Sequence, residues 1–182
     1  LKIHSFLYEN LTFNYIIFHY TIIAMKITVI GGGTGSTTVL EGLKKKNDLD
    51  LNVIVGMMDD GGSNAIVRDE FGLLPLSDLR KSIIALSQEN QDQMLRNLFT
   101  YRFSQGNGLK GHTLGNLLMI AMTELTGSEI EAIEMFKYFF SVTGNILPVT
   151  VDKVYLIAEY DDGSKVVGEH LIDEPKKKKK IV

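Results

Sequence analysis

The 182-residue sequence contains no cysteine, which removes disulfides, thiolate zinc sites and cysteine nucleophiles together and leaves a reducing compartment, the cytoplasm, as the simplest address. It has neither a Gly-x-Ser-x-Gly elbow nor a His-Glu-x-x-His motif, so acyl-enzyme hydrolysis and zinc proteolysis have no sequence to stand on. Basic charge is short as well. The formal net charge is −3, of which Lys176 to Lys180 supply +5, leaving −8 on the remainder. An acidic body does not suit a binder of nucleic-acid polymers, which needs a basic face. Long hydrophobic runs are missing too. The best stretch, Ile16 to Ala24, is interrupted by His19 and Thr21 and falls short of the roughly 20 residues that span a bilayer. No small-x-small cleavage site follows it, so neither a membrane span nor a signal peptide is expected.

What is present is enough apolar sequence, 45% against 23% charged, to bury the core of about one domain. Residues 1–24 hold six of the sixteen aromatics and no glycine or proline, a composition that stops at Met25. They are read as a non-native or disordered leader ahead of a start at Met25. Pro175 and the five lysines after it read as a basic tail, 175–182, of the kind that is normally solvated. No internal repeat is visible.

Between these ends, short apolar runs alternate with helical periods, the order of an α/β layer fold. Lys26 to Ile30 and Val53 to Met58 read as buried parallel strands. Thr34 to Lys46, with Val39, Leu40 and Leu43 at helical spacing and lysines at its C-terminal end, reads as the crossover helix. Further helices are expected over Ser77 to Ser87, beginning with an N-cap candidate, over Thr113 to Leu125 and over Glu129 to Phe140. Val154 to Tyr160 and Lys165 to Ile172 flank Asp161-Asp162-Gly163-Ser164 and predict a β-hairpin. The fold class is therefore α/β, a Rossmann-like parallel sheet with flanking helices plus a C-terminal β-hairpin.

Three loops carry residues suited to chemistry. The first strand runs into Gly31-Gly32-Gly33-Thr34-Gly35-Ser36 at the start of a helix, where bare backbone N–H groups meet a positive helix end and can hold a phosphate. Thr34 and Ser36 could add hydroxyl donors. Ser36 stands where a dinucleotide fingerprint has its third glycine, and no Gly-Lys-Ser/Thr follows, so the loop is neither a full Rossmann nor a Walker motif. A plain tight turn is the alternative.

The second strand runs into Asp59-Asp60-Gly61-Gly62-Ser63-Asn64. The two carboxylates could hold a magnesium ion, bond ribose hydroxyls or cap the following turn. Arg68 follows, and then Asp78-Leu79-Arg80, in which Arg80 could pair with Asp78 or Glu70 or meet an anionic ligand. The third loop, ending Lys110-Gly111-His112-Thr113-Leu114-Gly115-Asn116, is glycine-rich and opens a helix. His112 has no histidine at helical spacing, so a histidine metal cluster is not expected. It could still donate to a phosphate or shuttle a proton. Thr113 reads as the helix cap, with Asn116 in the first turn. Asp59 and His112 are the candidates for a catalytic base.

Taken in order, Ile30-Gly31-Gly32-Gly33-Thr34-Gly35, Asp59-Asp60-Gly61-Gly62-Ser63, Leu74-Pro75 with Asp78-Leu79-Arg80, Tyr101-Arg102-Phe103 and Gly111-His112-Thr113-Leu114-Gly115-Asn116 resemble the CofD/YvcK family. The resemblance runs from Met25 to about Ile172 and is closer to the YvcK branch, the gluconeogenesis factors. It implies a nucleotide-binding domain over 25–174. It also implies a regulatory protein that binds a UDP-sugar and is linked to carbon metabolism and bacterial cell shape. The CofD branch implies instead a magnesium-dependent transferase that moves a phospholactyl group from a nucleotide-activated donor. By this analogy Gly31 to Gly35 line a diphosphate, Asp59, Asp60, Gly61, Gly62 and Ser63 meet nucleotide or magnesium, and the 110–116 loop closes the cleft. Arg68, Asp78 and Arg80 fall among the expected nucleotide or phosphate contacts.

Three departures from the family pattern stand out. Ala65-Ile66 stand where glycine and arginine are usual, and Leu76-Ser77 replace a proline-glycine pair. Family members also continue past the lysine run, so the domain is expected to be incomplete. An open sheet edge would then favour pairing between copies, a homo-oligomer.

Overall fold

The computed structural model describes residues 25–46, 48–88 and 93–173. The readings of 1–24 as a leader and 175–182 as a tail lie outside the described residues, and so do the side chains of Ser63, Ile66, Val67 and Asp69. In chain order the elements are β1 (Met25–Gly31), α1 (Gly33–Lys44), β2 (Leu49–Val55), α2 (Gly62–Phe71), α3 (Leu76–Leu86), α4 (Gln93–Thr100), α5 (Leu114–Thr126), α6 (Glu129–Phe139), β3 (Asn145–Pro148), β4 (Ile157–Glu159), β5 (Lys165–Val167) and α7 (Glu169–Asp173).

β1, β2 and β3 form a parallel sheet in that order, with Met25 opposite Leu49, Gly31 opposite Val55 and Val55 opposite Pro148. Parallel neighbours need a crossover, and α1 supplies it between β1 and β2. The sheet is α/β as expected, with helices against it and a separate antiparallel pair, β4 and β5. Alternate residues of the strands feed one core. Leu51, Val53, Val55 and Ile146 are buried against Leu40 of α1, Leu79, Ile83 and Leu86 of α3, and Met119 of α5, with Ile27 and Val29 packed beside them. α4 and α6 join this core through Phe99, whose ring lies 5.0 Å from that of Phe136 and 4.7 Å from that of Phe140.

Several boundaries differ from those expected, each for a physical reason. β2 begins at Leu49 and stops at Val55, because Leu49-Asp50-Leu51-Asn52 alternates for a strand covered on one face, not two. On the other face of β1 Ile30 is 75% exposed, so β1 is not the fully buried strand its composition suggests. Pro75, not Ser77, precedes the first turn of α3; its own side chain cannot cap, and Asn64 Oδ1 of α2 accepts from the Ser77 N–H at 3.3 Å instead. The second hairpin strand, expected to reach Ile172, ends at Val167, where Gly168 at φ +108° turns the chain into α7. α2, α4 and β3 were not expected. β3 ends in Pro148, which is tolerated at a sheet edge because no ladder N–H is needed there.

β3 depends on a glycine. Gly144 has φ +115°, and a Cβ added to it would lie 2.0 Å from the Leu51 carbonyl oxygen. Gly144→Ala therefore combines backbone strain with a clash against the central strand, and should lower stability by about 2–4 kcal/mol. Urea denaturation of the two proteins checks this, and an unchanged midpoint contradicts the packing described for β3.

Candidate functional site

The carboxyl ends of β1 and β2 lie side by side, Gly31 against Val55, and each leads into a glycine-rich connection and a helix. This is the edge at which open α/β sheets bind ligands. At the end of β1, Gly32 is the N-cap of α1 and Gly33 its first residue, at φ +71°. The N–H of Gly33 donates to Asp78 Oδ2 at 2.6 Å, and a Cβ on Gly32 would stand 2.8 Å from the same oxygen. The protein's own carboxylate thus occupies the first anion position at the N-terminus of α1, where helix partial charge favours it. Lys81 Nζ holds the other oxygen, Asp78 Oδ1, at 2.8 Å. Ser36 Oγ turns back to donate to the Gly33 carbonyl at 3.1 Å. Thr34 and Gly35 are exposed.

At the end of β2 the two aspartates diverge in role. Asp59 Oδ1 accepts from the Gly61 N–H at 2.9 Å and Asp59 Oδ2 from Asn64 Nδ2 at 2.8 Å. Asp60 Oδ1 accepts from the His170 N–H at 3.1 Å and stands 2.9 Å from His170 Nδ1. Burial alone would raise the Asp60 pKa, but the two His170 hydrogen bonds, with the His170 and Arg68 charges, outweigh it and leave it lowered. Among the described residues no group of three or more histidine, aspartate or glutamate side chains is arranged to hold a metal ion.

Behind Asp59 runs a chain of hydrogen bonds donated in one direction. Arg80 Nε donates to Asn116 Oδ1 at 2.9 Å, Asn116 Nδ2 to Ser77 Oγ at 3.2 Å, Ser77 Oγ to Asn64 Oδ1 at 2.9 Å, and Asn64 Nδ2 to Asp59. Asn64, Arg80 and Asn116 are buried. Burial and the nearby Arg102 charge lower the Arg80 pKa, while Asp78 opposes them. Arg80 pairs with neither Asp78 nor Glu70, and instead serves as the cationic end of this chain.

Arg68 is buried too, and its Nη2 donates to the Val154 carbonyl at 2.7 Å while its guanidinium lies 4.5 Å from the Tyr155 ring centre. It therefore pins the β4 approach to α2. In the third loop Thr113 caps α5, as expected, accepting from the Asn116 N–H at 3.3 Å. Gly115 admits the close approach of α4 and Arg80, since a Cβ there would stand 2.2 Å from the Phe99 carbonyl oxygen and 2.6 Å from Arg80 Cδ.

Two adjoining cavities open at this edge. One, of about 250 Å³, is lined by Gly32, Gly33, Gly56, Met58, Asp59, Asp78, Lys81, Leu156 and Glu169. The other, of about 480 Å³, is lined by Asp59, Gly61, Gly62, Glu169, His170 and Asp173. Of the residues expected at the site, Gly32, Gly33, Asp59, Gly61, Gly62 and Asp78 therefore meet in one cleft. Asp60, Arg68, Arg80 and Asn116 stand behind it. Exposed Lys110 and Gly111 and buried His112 line neither cavity. Sequence reasoning missed Lys81, Glu169 and His170. Lys81 follows Arg80 directly, whereas the only local sign of the other two is the glycine that precedes them.

A family model described as 2-phospho-L-lactate transferase CofD matches residues 27–182. The chain belongs to the CofD family. It is 42% identical over 147 residues to the gluconeogenesis factor of Listeria monocytogenes, covering 81% of this chain and 45% of that protein. The gluconeogenesis factor of Bacillus subtilis is 42% identical over 149 residues, with 82% and 46% covered. The crystal structure of a UPF0052 family protein from Bacillus halodurans superposes with TM-score 0.78 at 38% identity, covering 86% of this chain and 49% of that one. The chain thus spans about half the length of these relatives.

Asn116→Leu strips the buried Arg80 of its acceptor and breaks the chain to Asp59, and should cost about 2–3 kcal/mol; a denaturation midpoint equal to wild type contradicts this. Glu169 has a raised pKa, through burial and the charges of Asp59, Asp173, Asp78 and Asp60. A carboxyl raised on folding opposes the folded state once the pH exceeds its unfolded value. Glu169→Gln should therefore raise the melting temperature at pH 7, with the gain fading as the pH falls below the carboxylate range.

Proposed function

We propose that this CofD-family domain binds a nucleotide sugar in the cleft between the glycine loop and the Asp59 edge, and acts as a binding and regulatory protein. The observation that carries the reading is the convergence on one cleft of two glycine-rich strand-to-helix connections from adjacent parallel strands. Asp78 takes the Gly33 N–H, so the diphosphate extends past the cavities, which Thr34 and Gly35 do not line, to the amides of these two exposed residues in the first turn of α1, which lack intrahelical partners. The relatives' name, gluconeogenesis factor, supports a role in carbon metabolism, and a link to bacterial cell shape belongs to the same reading.

The carboxylates of Asp59, Asp78 and Glu169 outnumber Lys81 around the cleft, so a diphosphate there meets net negative charge. A magnesium ion fits this imbalance, since it commonly uses one or two carboxylates together with ligand phosphates. Asp59, with Asp60 engaged by His170, is the residue that would hold it, and the ion would supply charge neutralisation. No membrane-crossing role enters this reading, and among the described residues no helix is long and apolar enough to cross a membrane.

The family description favours a second reading, transfer of a phosphorus-linked group from a nucleotide-activated donor. Then an acceptor hydroxyl attacks phosphorus and the nucleotide leaves. Asp59, in the cleft, is the base candidate, because His112 lines neither cavity.

With UDP-glucose at a hundredfold excess over Kd, the melting temperature should rise by about 5 °C or more. No shift at millimolar ligand contradicts binding. Phosphorus NMR separates the two readings, because a binder moves the diphosphate resonances without releasing nucleotide, whereas a transferase releases it once an acceptor is added.

A further inference from the structure

Asp60, Gly168 and His170 together fix a segment of chain that has no core of its own. α7 has five residues, none buried. Its start is held from two sides, by the Gly168 N–H donating to the Leu156 carbonyl at 2.8 Å and by Asp60 Oδ1 receiving the His170 N–H and facing His170 Nδ1. Gly168 lets Asp60 come close, since a Cβ there would stand 2.5 Å from Asp60 Oδ2. What this tether delivers is Glu169, among the described residues the one besides Asp59 that lines both cavities. No hydrogen bond or ion pair within the described residues reaches the Glu169 carboxylate, and its charged neighbours are Asp59, Asp60, Asp78 and Asp173.

A half-buried carboxylate without donors, among like charges, weakens the fold. Three contacts nonetheless hold this one at the cleft, where it is presented to donors that a ligand would supply. A phosphate brings none. A pair of sugar hydroxyls does, since an ionised carboxylate accepts from two donors at once. The two adjacent aspartates divide accordingly: Asp59 faces the cleft and Asp60 secures the opposite wall.

We propose that Glu169 is a ligand-contacting residue that accepts hydrogen bonds from a hydroxyl pair of the bound nucleotide sugar, with Asp60 and His170 as the positioning residues that hold it over the site. This rests on the nucleotide-sugar reading and adds to it the orientation of the ligand, its hydroxyl-bearing part toward Glu169 and its phosphates toward α1.

The test is calorimetric titration of the 182-residue chain and its variants with UDP-glucose, UDP and 2′-deoxy-UDP. Glu169→Gln should weaken UDP-glucose binding about tenfold, the loss of a charged acceptor, while the unliganded protein melts no lower than wild type. If the hydroxyls are those of the ribose, wild type prefers UDP over 2′-deoxy-UDP and Glu169→Gln does not. If they belong to the hexose, the advantage of UDP-glucose over UDP collapses instead. Asp60→Asn should weaken binding in the wild-type background and add nothing in a Glu169→Ala background, which a general loss of structure would not do. Glu169→Gln binding as tightly as wild type, or more tightly through relief of repulsion, overturns the proposal and leaves the nucleotide-sugar reading standing. Wild type binding none of the three overturns both.

Discussion

A buried guanidinium must be compensated, and Arg80 has the nearby Asp78 charge in its favour and, from its Nε, a hydrogen-bond series through Asn116, Ser77 and Asn64 to the Asp59 carboxylate, every bond donated in the same sense. Such a series polarises itself, each donor strengthened by the one behind it. Its members come from α3, α5, α2 and the end of β2, so the series also sets how those elements sit against one another. Breaking any link takes a hydrogen bond from at least one buried polar side chain, Asn64, Arg80 or Asn116, which is costlier than the loss of an exposed bond. The cleft inherits its shape from this network: Asp59 is aimed, Asn64 fixes the start of α2, and Ser77 fixes the start of α3, whose next residue is Asp78.

Asp78 then decides how the glycine loop is used. By taking the Gly33 N–H it satisfies one of the orphan donors of α1 and brings α3 against that helix, with Lys81 balancing its second oxygen. The loop is thus partly structural and partly open to ligand. The same economy appears in the neighbouring aspartates, where Asp59 lines the cleft and Asp60 anchors α7. Adjacent carboxylates repel when they share a site, and the fold avoids that by giving them different partners.

The legible parts of the sequence were those set by local pattern. β1, α1 and the parallel partner β2 follow from apolar periodicity, α5 from the Thr113 cap and the hairpin from Asp161 to Ser164. α2 begins on Gly62-Ser63-Asn64 and lacks an apolar stripe, and β3 is four residues ending in proline, so neither carries a signal that outweighs its composition. The first two motif loops lead to the cleft, whereas the third connects to it from behind, through Asn116, and none of them showed the division of labour there. Asp78 reaches a backbone amide 45 residues away and His170 reaches Asp60 across 110, and no spacing rule reports contacts of that length. Arg68 and Arg80 were legible as chemistry-bearing residues and proved to face carbonyls and an amide, because burial, not residue type, chose their partners.

Amide chemical-shift mapping on titration with UDP-glucose tests the proposed ligand position between the glycine loop and the Asp59 edge. Perturbations confined to the backbone of residues 32–35, 59–62 and 168–170, with Lys110 to His112 unmoved, are the result this structure predicts. Shifts centred on Lys110 to His112, or no shifts at saturating ligand, would contradict it.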